Sequence, residues 1–362
     1  MRSPVDWDLA ERVAVRVAGH EPLADSYHYA RLALDFEEVT AQAEDLVERA
    51  TGLRSASGAA RARVVDRGDW VRANLASFGR LLRPLTDRMA EHMEGGSAPR
   101  AVMSAVSRRG AALEVGVLLG WMGTRVLGQY DLLIIEDEDL EDQDIVYYVG
   151  PNVLALEKRF GFPPREFRLW LALHEVTHRA QFTGVPWLRP HFLSLVNQAL
   201  DAVDPDPKRF VDALARVVED LRAGTNPLDE GGIATLLASP DQRDLFGRIG
   251  GMMSLLEGHG DVTMDRAGEG QVPSAPRFAR ALRERRKQGS GVAKLAQRAL
   301  GIDAKLKQYA QGEAFIAYVE RHGGEDALDA AWRGPEWLPT LAEIRAPQEW
   351  LDRVRLSEEL VG

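Results

Sequence analysis

The chain has 362 residues, of which 45% are hydrophobic and 28% charged, with a formal net charge of -10 and no cysteine. This charge argues against a nucleic-acid binder that works through phosphate contacts, and the absence of cysteine excludes disulfides, thiolate metal ligands and cysteine nucleophiles. We find neither a signal-peptide pattern at the N-terminus nor a run of about 18 apolar residues. We therefore expect no membrane span and a cytoplasmic location.

Helical patterns dominate the first 128 residues. Apolar residues recur at helical spacing over 24–50, 67–93 and 98–127. A stretch of five arginines within residues 54–72 is interpreted as a solvated helix face, with an anion-binding patch as the alternative. Residues 1–128 are therefore treated as an N-terminal helical region.

Two short β-rich segments follow this region. Residues 131–136 (DLLIIE) and 144–149 (DIVYYV) are separated by an acidic turn, which predicts a β-hairpin. The second segment is a candidate edge strand that pairs with an extended peptide, the alternative being an ordinary hairpin strand.

A central helix is predicted next, from the prolines at 163–164 to Thr183, with Gly184 after its end. Its middle, residues 169–173, is apolar on all sides, which is typical of a buried helix. Further helices are predicted after Pro205, from Ser239 to Arg266, over 293–322 and at the C-terminal end. The predicted fold is mostly α, with a small β-hairpin or sheet beside the central helix, and residues 129–362 form a catalytic region packed with residues 1–128 as one unit.

The central helix contains the pattern His174-Glu175-Val176-Thr177-His178. Residues four apart on an α-helix differ by about 40° of rotation and about 6 Å of rise, so both imidazoles can bind one tetrahedral ion. Glu175 is offset by about 100°, where a general base for a metal-bound water is needed. The pattern predicts a Zn²⁺ site with Glu175 as the catalytic base, the alternative being two structural histidines in the core.

The third zinc ligand must be His, Asp or Glu, because the chain has no cysteine. Residues 257–261 (EGHGD) offer Glu257 as this ligand, with Asp261 one turn later as a hydrogen-bond partner for a ligand histidine. His259, about 200° around the helix from Glu257, is the competing ligand. The two glycines of this segment lower helix propensity, and we attribute them to close approach of the helix that bears His174.

A hydrolase also needs a donor for the negative charge that develops on the substrate carbonyl. His259, Tyr309 and Tyr130 are the candidates. The sequence thus predicts zinc-dependent hydrolysis of an amide bond in a peptide, with Glu175 activating the water. The alternatives are a zinc hydrolase of a small non-peptide amide and a non-catalytic, zinc-stabilised scaffold or interaction protein.

Several segments of the chain together resemble one family. They are Gly128–Asp131, Tyr148–Asn152, Leu173–Phe182, Leu256–His259, Lys305–Tyr309 and Leu338–Thr340. The chain resembles a family of zincin-like hydrolases common in actinobacteria and associated with biosynthesis of the deazaflavin redox cofactor. The resemblance covers most of the chain and implies a mostly helical zinc-metallopeptidase fold, without supplying a substrate.

Overall fold

The computed structural model describes residues 5–94, 98–131, 144–202, 240–287 and 302–361. The predicted strand residues 132–136 and the predicted helix after Pro205 lie outside these ranges. Contacts divide the chain into two units, and each is described by itself. The first unit comprises Met1–Gly184 and Arg266–Ala279, and the second comprises Val185–Asp265 and Arg280–Gly362.

Most of the first unit is α-helical. Its helices in the described residues are α1 (Trp7–Ala18), α2 (Tyr27–Thr51), α3 (Arg67–Leu81), α4 (Arg83–Glu94), α5 (Ala98–Gly123), α6 (Gly150–Phe160) and α7 (Pro164–Gly184). Local signals set their ends. The Asp66 carboxylate accepts a hydrogen bond from the Asp69 N–H at the start of α3, and Gly52, with φ 69°, ends α2 in the left-handed conformation.

A small sheet joins these helices. Its strands are β1 (Arg61–Val65), β2 (Gly128–Tyr130) and β3 (Ile145–Val149), in the order β1-β3-β2. β1 is parallel to β3 and β2 is antiparallel to it. The prediction that residues 144–149 form an edge strand is therefore wrong, because β3 is the central strand. All five of its residues are buried, as expected for a strand that is apolar on both faces.

The arginine-rich stretch 54–72 is only partly the predicted helix face, because α3 begins at Arg67. Its middle is β1, in which the exposed side chains of Arg61 and Arg63 alternate with partly buried Ala62 and Val64. This period of two is the strand period, and the parallel pairing with β3 decides the conformation.

Buried ion pairs hold α7 within the first unit. The Arg168 guanidinium donates two hydrogen bonds of 2.8 Å to the Glu157 carboxylate. The side chain of Arg179 is 1% exposed and forms ion pairs with Asp144 at 2.7 Å and Glu44 at 2.5 Å. Removing one partner of such a pair leaves a charge buried without compensation, so these contacts fix the position of α7.

The second unit contains the remaining helices and two 3₁₀ segments. These elements are α8 (Leu188–Asp201), α9 (Pro240–Ala267), α10 (Ala275–Lys287), α11 (Ile302–Gly323), the 3₁₀ segments Glu325–Trp332 and Pro335–Trp337, α12 (Leu341–Arg345) and α13 (Pro347–Val361). Helices α9 and α10 each extend across the boundary between the units. Among the residues that the structure describes, no helix is long and apolar enough to cross a membrane.

Helices α9 and α11 cross closely at a pair of glycines. A Cβ atom added to Gly258 would lie 2.6 Å from the Cα atom of Gly312 and 2.7 Å from the backbone nitrogen of Glu313. The close neighbour of Gly258 within the second unit is α11, whereas the attribution of this glycine to close approach of the helix that bears His174 stays a prediction. Glycine is needed here for space between two helix backbones.

Candidate metal centre

Helix α7 presents the two histidines of the motif on one face. The ring centroids of His174 and His178 lie 4.7 Å apart, and both residues are half-buried. The remaining residues of this stretch are mostly buried, including Leu173, Val176 and Thr177. A helix so apolar would not keep polar side chains buried without partners for them.

Gln181 orients one of the two imidazoles. The Nδ1 atom of His178 lies 3.0 Å from the Oε1 atom of Gln181, whose side chain is fully buried. With this oxygen as acceptor, Nδ1 carries the proton and Nε2 keeps the lone pair that a metal ligand requires. Sequence reasoning missed Gln181, although its position three residues after His178 on the same helix face was the available signal.

The Glu175 carboxylate is held by the main chain of β2. Its Oε2 atom accepts a hydrogen bond of 3.0 Å from the Tyr130 N–H, and the residue is only 8% exposed. The Tyr130 side chain, predicted as a donor to substrate, stacks on Phe182 with ring centroids 6.5 Å apart. In this unit Tyr130 thus contacts the predicted base through its backbone.

The other predicted site residues lie on helices of the second unit. Glu257 and His259 are buried on α9, with 8% and 7% exposure, and Asp261 is half-buried one turn later. The rings of His259 and Trp332 pack in a T-shaped arrangement, with centroids 5.1 Å apart. Tyr309 lies on α11, and its side chain is outside the described part of the chain.

Trp332 is itself held in place. Its carbonyl oxygen accepts a hydrogen bond of 2.9 Å from the indole Nε1–H of Trp187. This hydrogen bond anchors the main chain of the residue whose ring packs against the buried His259 imidazole. Sequence reasoning did not identify this neighbour, because the two residues are far apart in the chain.

Comparison with known proteins identifies the class. The model of the Zincin-like metallopeptidase family matches residues 5–351, so the chain belongs to this family. It is also similar to a crystal structure from Chloroflexus aurantiacus, described as a proposed hydrolase with a novel fold. That similarity has a TM-score of 0.69 and 29% sequence identity, and it covers 97% of this chain and 99% of the other. No curated protein matches the chain.

The family confirms the predicted fold class, a mostly helical zincin-like fold with a small sheet. The zincin-like part of the resemblance is likewise confirmed. The actinobacterial and deazaflavin associations stay predictions, as does the cytoplasmic location.

Proposed function

We propose that this protein is a zinc-dependent hydrolase that cleaves an amide bond, in the manner of a metallopeptidase. The observation that carries the proposal is the arrangement on α7, where His174 and His178 share one face and the Glu175 carboxylate is held 3.0 Å from the Tyr130 N–H. Membership of the zincin-like metallopeptidase family supports the same conclusion.

The proposed zinc ligands are His174, His178 and Glu257. Two imidazoles and one carboxylate are a known donor set of catalytic zinc sites, in which a fourth position stays open for water or substrate. Asp261 is proposed as a hydrogen-bond partner of a ligand histidine. Gln181 has the same kind of role, since it is the hydrogen-bond partner of His178.

The chemistry then divides between the ion and the chain. Zinc, when bound, supplies Lewis acidity, which polarises a carbonyl and lowers the pKa of a coordinated water toward about 7. Glu175 accepts a proton from the attacking water and returns it to the leaving nitrogen. His259 and Tyr309 are the proposed donors to the oxygen that gains negative charge.

The alternatives differ in what they require of Glu175. A structural zinc site needs no general base and closes its fourth position with another ligand. The buried, hydrogen-bonded carboxylate of Glu175 therefore favours an enzyme over a zinc-stabilised scaffold. A peptide and a small amide remain the two proposed substrate classes, and neither nucleic acid nor a membrane is a proposed partner.

The test combines metal analysis with a cleavage assay on a peptide library. Glu175→Gln is expected to keep zinc and to lose activity by about 10²- to 10⁴-fold. Glu37→Gln, the same chemical change at an exposed position of α2, serves as the matched control. Zinc binding without cleavage in the unmodified protein would favour the scaffold or a non-peptide amide, which a library of small amides then distinguishes.

The third ligand is tested by two further variants. Glu257→Ala is expected to lower zinc affinity strongly, whereas His259→Ala keeps zinc and loses activity. Zinc content is measured after dialysis against a range of chelator concentrations. The reverse pattern, with zinc lost from His259→Ala and retained by Glu257→Ala, would assign the third ligand to His259.

A further inference from the structure

Strand β2 has two different edges. The Asp131 N–H donates to the Ile145 carbonyl oxygen at 3.1 Å, and the Leu127 carbonyl oxygen accepts from the Val149 N–H at 2.9 Å. In an antiparallel pair these hydrogen bonds alternate along the strand, so Gly128 and Tyr130 direct their main-chain groups away from β3. This second edge is the one from which the Tyr130 N–H reaches Glu175.

Gly128 leaves the space that the Glu175 side chain occupies. A Cβ atom added to Gly128 would lie 2.8 Å from both the Cγ and the Oε1 atoms of Glu175. Carbon atoms in contact are normally about 3.5–4.0 Å apart, so an alanine side chain and the observed carboxylate cannot coexist. Gly128 is not among the glycines with positive φ, so its backbone conformation does not require glycine.

We propose that Gly128 is a positioning residue for the catalytic base. Without a side chain at this position, the Glu175 side chain packs against β2, and its carboxylate accepts a hydrogen bond of 3.0 Å from the Tyr130 N–H. That hydrogen bond fixes one carboxylate oxygen and sets the direction in which the other can take a proton. This inference rests on the proposed function, since it assigns a base to a hydrolytic reaction.

The substitution that tests it is Gly128→Ala. The atoms that crowd the new methyl group belong to the Glu175 side chain and not to a backbone, so the carboxylate moves and the fold is retained. The expected result is a fall in kcat of about 10- to 100-fold, since a displacement near 1 Å has this effect. KM and zinc content are expected to stay within about twofold, because no substrate or metal contact is removed.

Gly110→Ala is the matched control. Gly110 lies on α5, and a Cβ atom added there meets no atom within 4 Å. Its kcat is expected to equal that of the unmodified protein. The shorter side chain of a Glu175→Asp variant leaves room for the methyl group. Adding Gly128→Ala to that variant is therefore expected to lower its kcat by less than about twofold, relative to Glu175→Asp alone.

A crystal structure of Gly128→Ala provides a readout that does not depend on activity. The distance from the Tyr130 nitrogen to the Glu175 carboxylate is expected to exceed about 3.5 Å, beyond hydrogen-bond range. Retention of this hydrogen bond, or an undiminished kcat, would overturn the proposal, as would a loss of kcat that follows loss of zinc. If the unmodified protein hydrolyses no amide, the proposed function fails, and the crystal structure still decides whether Gly128 positions Glu175.

Discussion

Adding a single methyl group at Gly258 should force α9 and α11 apart. If the backbone did not move, the Cβ atom of an alanine at this position would lie 2.6 Å from the Gly312 Cα and 2.7 Å from the Glu313 backbone nitrogen. These are backbone atoms of α11, so no side-chain rotation can relieve the contact. Gly247, on the same helix α9, has no atom within 4 Å of an added Cβ and provides the matched control.

The expected magnitude follows from two opposing effects. Replacing a helical glycine by alanine stabilises a helix by about 0.5–1 kcal/mol, and both variants share this gain. Overpacking costs about 1–3 kcal/mol in addition, and Gly258→Ala lies at the upper end because helix backbones must separate. The free energy of unfolding of Gly258→Ala should therefore be about 2–3 kcal/mol below that of Gly247→Ala.

The assay is urea unfolding of the full chain, monitored by circular dichroism at equal protein concentrations. The difference should be visible as a lower midpoint for Gly258→Ala with an unchanged slope, because the surface exposed on unfolding is the same. Equal midpoints for the two variants would refute the close crossing of α9 and α11 at Gly258. A Gly247→Ala variant less stable than the unmodified protein would refute the assumption that propensity alone acts at the control position.

Three further predictions concern polar and charged groups. Thr40 Oγ1 and the Tyr148 hydroxyl oxygen lie 2.9 Å apart and are fully buried. Thr40→Val should therefore lower the free energy of unfolding by about 1–3 kcal/mol, and adding Tyr148→Phe should recover most of this loss. Additive effects of the two substitutions in denaturation experiments would argue against this hydrogen bond. Burial raises the pKa of Glu343, but hydrogen bonds from Arg353 and the helix cap outweigh it and hold that pKa below its ordinary value. The resulting stability is present above about pH 4.3 and is lost as the pH falls through the lower pKa of the folded state, so Glu343→Gln should flatten this acid limb of a Tm–pH curve, and an unchanged limb would contradict it. Partial burial and the nearby carboxylate of Glu313 raise the pKa of Asp265. Asp265→Asn should therefore raise Tm at pH 7, and this gain should disappear below about pH 3.9. An unchanged Tm at pH 7 would count against the prediction.

Local sequence signals were sufficient for the helix that carries the motif. A proline at the first position, an apolar middle and a terminal glycine predict α7 almost residue for residue, and the structure has it at Pro164–Gly184. The spacing of His174 and His178 then follows from helix geometry alone, because i and i+4 always share a face. The break at Gly52 between α2 and β1 is equally local.

The sheet could not be predicted in this way, because its pairing is non-local. Residues 61–65 form a strand only by lying parallel to β3, about 80 residues later in the chain, and this same pairing makes β3 a central strand. Arginines at alternate positions suit a strand edge as well as a helix face, so composition alone does not decide between them.

What the sequence determined by itself was the chemistry of the candidate site, namely two histidines and a carboxylate on one buried helix. Only the tertiary structure decided how that chemistry is supported, because the supporting contacts join distant segments. Gly128 and the Tyr130 N–H come from β2, more than 40 residues before Glu175, and Gly258 meets Gly312 on another helix. Glycines and backbone amides have no side-chain signature, so their roles become visible only when the chain is folded.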